Sequence, residues 1–85
     1  MKNIRYPEHL FETSNINLAA TLCALGAQFE SIDRRSSDKC LFQFREAPEL
    51  QQLVDAYWRR QLTVEPQTIL QALKNVKARL YDERL

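Results

Sequence analysis

Catalysis and metal binding both need particular side chains held close together, and this sequence supplies few of them. His9 is the only histidine, and it lies in a ragged N-terminal stretch. Ser14, Ser31, Ser36 and Ser37 have no recognisable base near them in the chain. Glu12, Glu30 and Asp33 could act as a carboxylate pair only if folding happened to oppose two of them. Cys23 and Cys40 are not closely spaced, so with one histidine a zinc site is short of soft ligands. The single glycine, Gly26, cannot build a phosphate-cradling loop. The expectation is therefore a non-enzyme, with no catalytic residue, no metal site and no cofactor.

Two other patterns suggest binding. Arg34, Arg35, Lys39 and Arg45 face only Asp38 within residues 34–45, leaving a local charge of +3. Residues 59–84 carry Arg59, Arg60, Lys74, Lys77, Arg79 and Arg84 against Glu65, Asp82 and Glu83, again +3. Such clusters can contact phosphates, and Tyr57 and Trp58 beside Arg59 and Arg60 could stack on bases. The plainer reading is a solvated surface and a hairpin tip, favoured by a net charge of only +1.

Exposed aromatics beside arginines also anchor protein interfaces. Trp58 lies about 100° round the helix from the core-facing Tyr57. It is either a core-edge residue or one that projects with Leu62. The leading expectation is a non-catalytic protein-interaction module using Tyr57, Trp58, Arg59, Arg60 and Leu62. The alternative is a small nucleic-acid-binding domain using Arg34, Arg35, Lys39, Arg59, Arg60, Lys74 and Lys77. A free hairpin edge could dock a partner strand or a second copy of the chain.

The elements that must position these groups read as follows. Leu10–Thr13 suggests a short strand. Thr13, Ser14 and Asn15 offer N-caps for a helix over 15–25, whose wide apolar arc predicts a central, buried position. Gly26 should close it in left-handed conformation. Residues 28–33 and 39–45 read as an antiparallel hairpin joined by a five-residue polar turn, 34–38. Cys40, Phe42 and Phe44 line one face of its second strand. Pro48 and Pro66 sit at first helical positions. Leu50, Leu53, Val54, Tyr57 and Gln61 form the stripe of one helix. Ile69, Leu73, Val76 and Leu80 form that of the other, flanked by Leu70 and Tyr81. Lys77, Arg79 and Arg84 suit its C-terminal dipole. The expected core is Phe11, Ile16, Ala19, Leu22, Cys23, Phe29, Phe42, Phe44, Leu53, Tyr57, Ile69, Leu73, Val76 and Leu80.

Eighty-five residues, 45% of them hydrophobic, suffice for one small core, so residues 1–85 read as a single domain with 1–9 loosely ordered. The class is α+β: two or three antiparallel strands with a central hairpin, packed against three helices in the order β-α-β-β-α-α. The balanced charge excludes a globally basic nucleic-acid binder and a polyanionic DNA mimic. No apolar run of about 7–15 residues follows Lys2 and Arg5, and no stretch reaches the roughly 20 residues of a membrane span. The expectation is a cytoplasmic protein with two reduced, buried thiols and no membrane partner.

One resemblance joins these pieces. Phe11 to Asn15 with Leu18-Ala19-Ala20, then Leu25-Gly26, Leu41 to Phe44, Pro48-Glu49-Leu50, Ala56-Tyr57-Trp58, Thr63 to Pro66, and Leu73-Lys74 through Leu80-Tyr81 occur in that order. Together they resemble a small uncharacterised bacterial and phage family known only as a domain of unknown function, over about residues 11–81. The resemblance implies a fold and no activity. It suggests an association with phage-related or mobile genetic material, hence an accessory subunit with a protein partner still to be identified.

Overall fold

Asn15 starts the first helix. Its Oδ1 accepts from the amides of Asn17 (2.9 Å) and Leu18 (3.1 Å), two of the orphan donors of a first turn. In the computed structural model, which describes residues 10–36 and 39–82, the elements run β1 (Leu10–Thr13), α1 (Ile16–Ala24), β2 (Phe29–Ser36), β3 (Lys39–Arg45), α2 (Pro48–Trp58) and α3 (Pro66–Asp82). This is an α+β fold in the order the sequence suggests. The expectation for residues 1–9 lies outside the described residues.

The three strands form one antiparallel sheet in the order β1-β3-β2, so the hairpin's second strand is central. Alternation on β3 separates the faces. Phe42 and Phe44 are buried beneath the helices, and Phe11 pairs opposite Phe44 on that side. Phe29 stacks on Phe44 with ring centroids 5.0 Å apart. The other face is tied by polar side chains. Ser31 Oγ donates to Gln43 Oε1 and Gln43 Nε2 to Glu12 Oε2, each at 2.6 Å, one bridge across all three strands.

Helix α1 is the centre of the molecule. Leu18, Ala19, Ala20, Thr21 and Leu22 are all buried, and five consecutive residues take in the whole circumference of a helix. The helix packs against β1, α2 and α3. Every side chain expected in the core is buried or packed against it; Leu18, Ala20, Leu50, Val54 and Ala72 complete it.

Two helices end in the same way. At α1 the Gly26 amide donates to Cys23 O (3.1 Å) and the Ala27 amide to Leu22 O (2.9 Å), the paired bonds of a Schellman motif. Gly26 takes φ +93° there, as expected. At α2 the Arg60 amide donates to Tyr57 O (3.0 Å) and the Gln61 amide to Ala56 O (2.9 Å). Here the left-handed position, φ +60°, is held by Arg60. Gln61 therefore lies beyond the helix whose stripe it was expected to continue.

The turn expected over 34–38 needs correction. Strand β2 continues to Ser36, which pairs with Lys39. A tertiary contact adds to this pairing at Arg34. Arg34 Nη2 donates to the carbonyl of Leu80 on α3, and its Nη1 lies 3.6 Å from Cys40 Sγ. In return Arg79 of α3 donates from Nη2 to Glu30 O on β2 (2.6 Å), its guanidinium 4.3 Å from the Phe29 ring centre. Strand and helix thus each hold the other's backbone through an arginine.

Candidate interaction site

Helix α2 presents its C-terminal end to solvent. Pro48 at N1 sets its start, and Leu50, Leu53, Val54 and Tyr57 turn toward the core. Trp58 falls one step round from Tyr57 and is 61% exposed, which resolves the choice between core edge and surface. Its ring meets that of the half-buried Tyr57 edge-on, with centroids 5.0 Å apart and planes at 87°. Edge-to-face is one of the favoured arrangements of two aromatic rings. The chain then turns at once. Arg59 is the C-cap and Arg60 the left-handed residue after it, both exposed. Neither has an ion-pair partner among the described residues. Leu62, in the connector to α3, is half-buried rather than projecting as an open anchor.

The other cations lie on separate elements. Arg34 and Arg35 are on β2, Lys39 starts β3, and Lys74 and Lys77 are exposed on α3. The Arg34 guanidinium is taken up by Leu80 O and Cys40 Sγ, which leaves less of it for a phosphate. Arg79 likewise turns its guanidinium to the sheet rather than to solvent at the helix end.

Sequence reasoning gave too little weight to two side chains. Leu70 and Tyr81 are 60% and 59% exposed, the only large apolar side chains besides Trp58 so open among the described residues. Their signal was present: 70, 74, 77 and 81 follow one line along a helix. All three open apolar groups belong to the last two helices.

No three His, Cys, Asp or Glu side chains come together among the described residues as a metal site would need. Cys23 and Cys40 are free thiols, half-buried rather than fully enclosed. Burial pushes the Cys23 thiol up from its ordinary value, and the nearby Arg79 charge partly offsets this. A groove of about 370 Å³ between Gly26 and the start of α2 is lined by Leu25, Ala27, Leu50 and Leu53, with Arg45 and Glu49 among its polar lining residues.

The family model described as a domain of unknown function, DUF5659, matches residues 8–82. The chain belongs to the DUF5659 family. No curated protein and no solved structure matches it. The DUF5659 match takes in all six elements, including the Trp58 patch, and brings no activity with it. No described helix is long and apolar enough to cross a membrane.

Proposed function

We propose that this DUF5659 domain is a non-catalytic protein-interaction module whose contact patch is Tyr57, Trp58, Arg59, Arg60 and Leu62. The observation that carries the reading is the end of α2. An open indole meets the Tyr57 ring edge-on, and the next turn places an arginine where Gly26 shows that glycine fits. The left-handed conformation costs a residue other than glycine about 1–2 kcal/mol. Covering Trp58 contributes on the order of 2–4 kcal/mol to an interface. Stability is given up at Arg60, two residues after the aromatic Trp58, and Trp, Tyr and Arg are the residue types enriched in interface hot spots. On this reading the chain is an accessory subunit of a phage-related or mobile-element system. It works in the cytoplasm, where thiols such as Cys23 and Cys40 stay reduced.

The test is a tagged pull-down from host lysate, divided into portions with and without nuclease, for the parent and for a Trp58→Ala/Arg60→Ala variant of unchanged circular dichroism. A protein that survives nuclease and is lost from the variant is expected. Equal capture by the folded variant would refute the patch.

The second reading is nucleic-acid binding, favoured by Arg59, Arg60, Lys74 and Lys77 having no ion-pair partner among the described residues. It requires affinity to fall with salt at a log–log slope of about −0.7 to −0.9 per phosphate neutralised. A flat response would exclude it.

A further inference from the structure

The surface of α3 departs from an ordinary solvated helix face. Taking about 100° per residue, Leu70, Lys74, Lys77 and Tyr81 fall within an arc of about 60°. They span three turns, about 16 Å. The half-buried Leu73 and Leu80 continue the arc toward the core. Apolar side chains close both ends of the stripe, and two lysines without an ion-pair partner among the described residues occupy its middle. Arg79, the other cation of this helix's described residues, is turned away to Glu30 O and Phe29.

We propose that this stripe is a second contact surface, separate from the Trp58 patch, which seats an acidic amphipathic helix of a partner protein. A straight line of side chains three turns long is matched by another helix lying nearly parallel to it, ridge into groove. The occupant needs an apolar side chain at each end, against Leu70 and Tyr81, and carboxylates between them, against Lys74 and Lys77. Charge decides against a second copy of this chain. Antiparallel self-pairing would set Leu70 on Tyr81 favourably, but it would also set Lys74 on Lys77 twice over. Like charges opposed in this way disfavour the pairing. A lipid surface fits less well, because two lysines contribute only about 1 kcal/mol each at an anionic membrane.

The probe is a synthetic fluorescent helix with two leucines three turns apart on one face and glutamates between them. A control peptide carries lysines in place of the glutamates. Fluorescence anisotropy at low salt should show saturable binding of the acidic helix, with Kd on the order of 10 μM for so small a contact. Leu70→Ser/Tyr81→Ser should weaken it at least tenfold, and Lys74→Glu/Lys77→Glu should reverse the preference toward the basic helix. Both variants change exposed positions and should keep the parent's circular dichroism. Trp58→Ala should bind the acidic helix as the parent does, which separates this surface from the first. Equal binding of both peptides, no binding, or loss through Trp58→Ala would overturn the proposal. So would sedimentation as a dimer that Leu70→Ser disperses, or binding confined to anionic vesicles or RNA.

Discussion

The two Schellman endings make a matched experiment, because the same backbone geometry carries glycine at one site and arginine at the other. Arg60→Gly removes a left-handed penalty of about 1–2 kcal/mol and adds the greater freedom of glycine in the unfolded chain, about 0.4–1 kcal/mol. The expected net gain is about 0.5–1 kcal/mol. Gly26→Ala runs the other way. A Cβ built on Gly26 meets nothing within 4 Å, so no clash contributes and the cost is that of the backbone alone, about 1 kcal/mol. In a domain this small, 1 kcal/mol moves Tm by roughly 4–8 °C. Thermal and urea unfolding of both variants would measure the pair, with Arg60→Ala as a control that keeps the strain and removes the guanidinium. A stabilised Arg60→Gly beside an unchanged Arg60→Ala is the expected pattern. If Arg60→Gly gains nothing while Gly26→Ala loses stability, the strain argument at α2 is wrong.

Three further expectations concern stability. Asn15→Ala strands the amides of Asn17 and Leu18 and should cost about 1 kcal/mol in urea unfolding. Arg79→Leu removes a charged donor from Glu30 O and should cost about 1.5–3 kcal/mol by the same assay; a loss below the error of the method would show the contact to be incidental. Glu65 is held below its usual value near 4.5, first by the Thr68 amide and then by that of Gln67, where its carboxylate caps α3. A lowered folded value means stability present above about pH 4.5 and lost as pH falls through that lower value. Amide exchange in the first turn of α3 should therefore accelerate on acidification, and Glu65→Gln should flatten that response.

What could be read in the sequence was what is decided locally. Asn15, Pro48 and Pro66 announce their helices through groups one to three residues away, and Gly26 announces an ending by lacking a Cβ. The alternation on β3 gave the face carrying Phe42 and Phe44. Arg34, Arg35 and Ser36 read as a turn because their composition is polar. Ser36 nonetheless pairs with Lys39 of β3, and the Arg34 side chain finds its acceptor far along the chain, at Leu80 O. The end of α2 was hidden for a related reason. Arg60 in left-handed conformation gives no signal of the kind Gly26 gives, so the apolar stripe extends to Gln61 in the sequence although the helix stops at Trp58. Ala72 joined the core because α1 is central and covered on every side, which the period of α3 alone does not show.

The exchange of arginines between β2 and α3 also bears on how long the fold persists. Arg34 reaches Leu80 across 46 positions and Arg79 reaches Glu30 across 49, whereas Ser31 and Gln43 within the hairpin are 12 apart. Closing the longer loop costs about 1.2 kcal/mol more in chain entropy than closing the shorter one. The hairpin therefore belongs early in folding and the two arginine bonds late. Interactions formed after the transition state leave the folding rate nearly untouched and act on the unfolding rate. In kinetic terms the pair is a latch: in stopped-flow measurements Arg79→Leu should raise the unfolding limb and leave the refolding limb in place. The lifetime of the native state would then rest on two guanidinium groups at the last helix, while its formation rests on the hairpin.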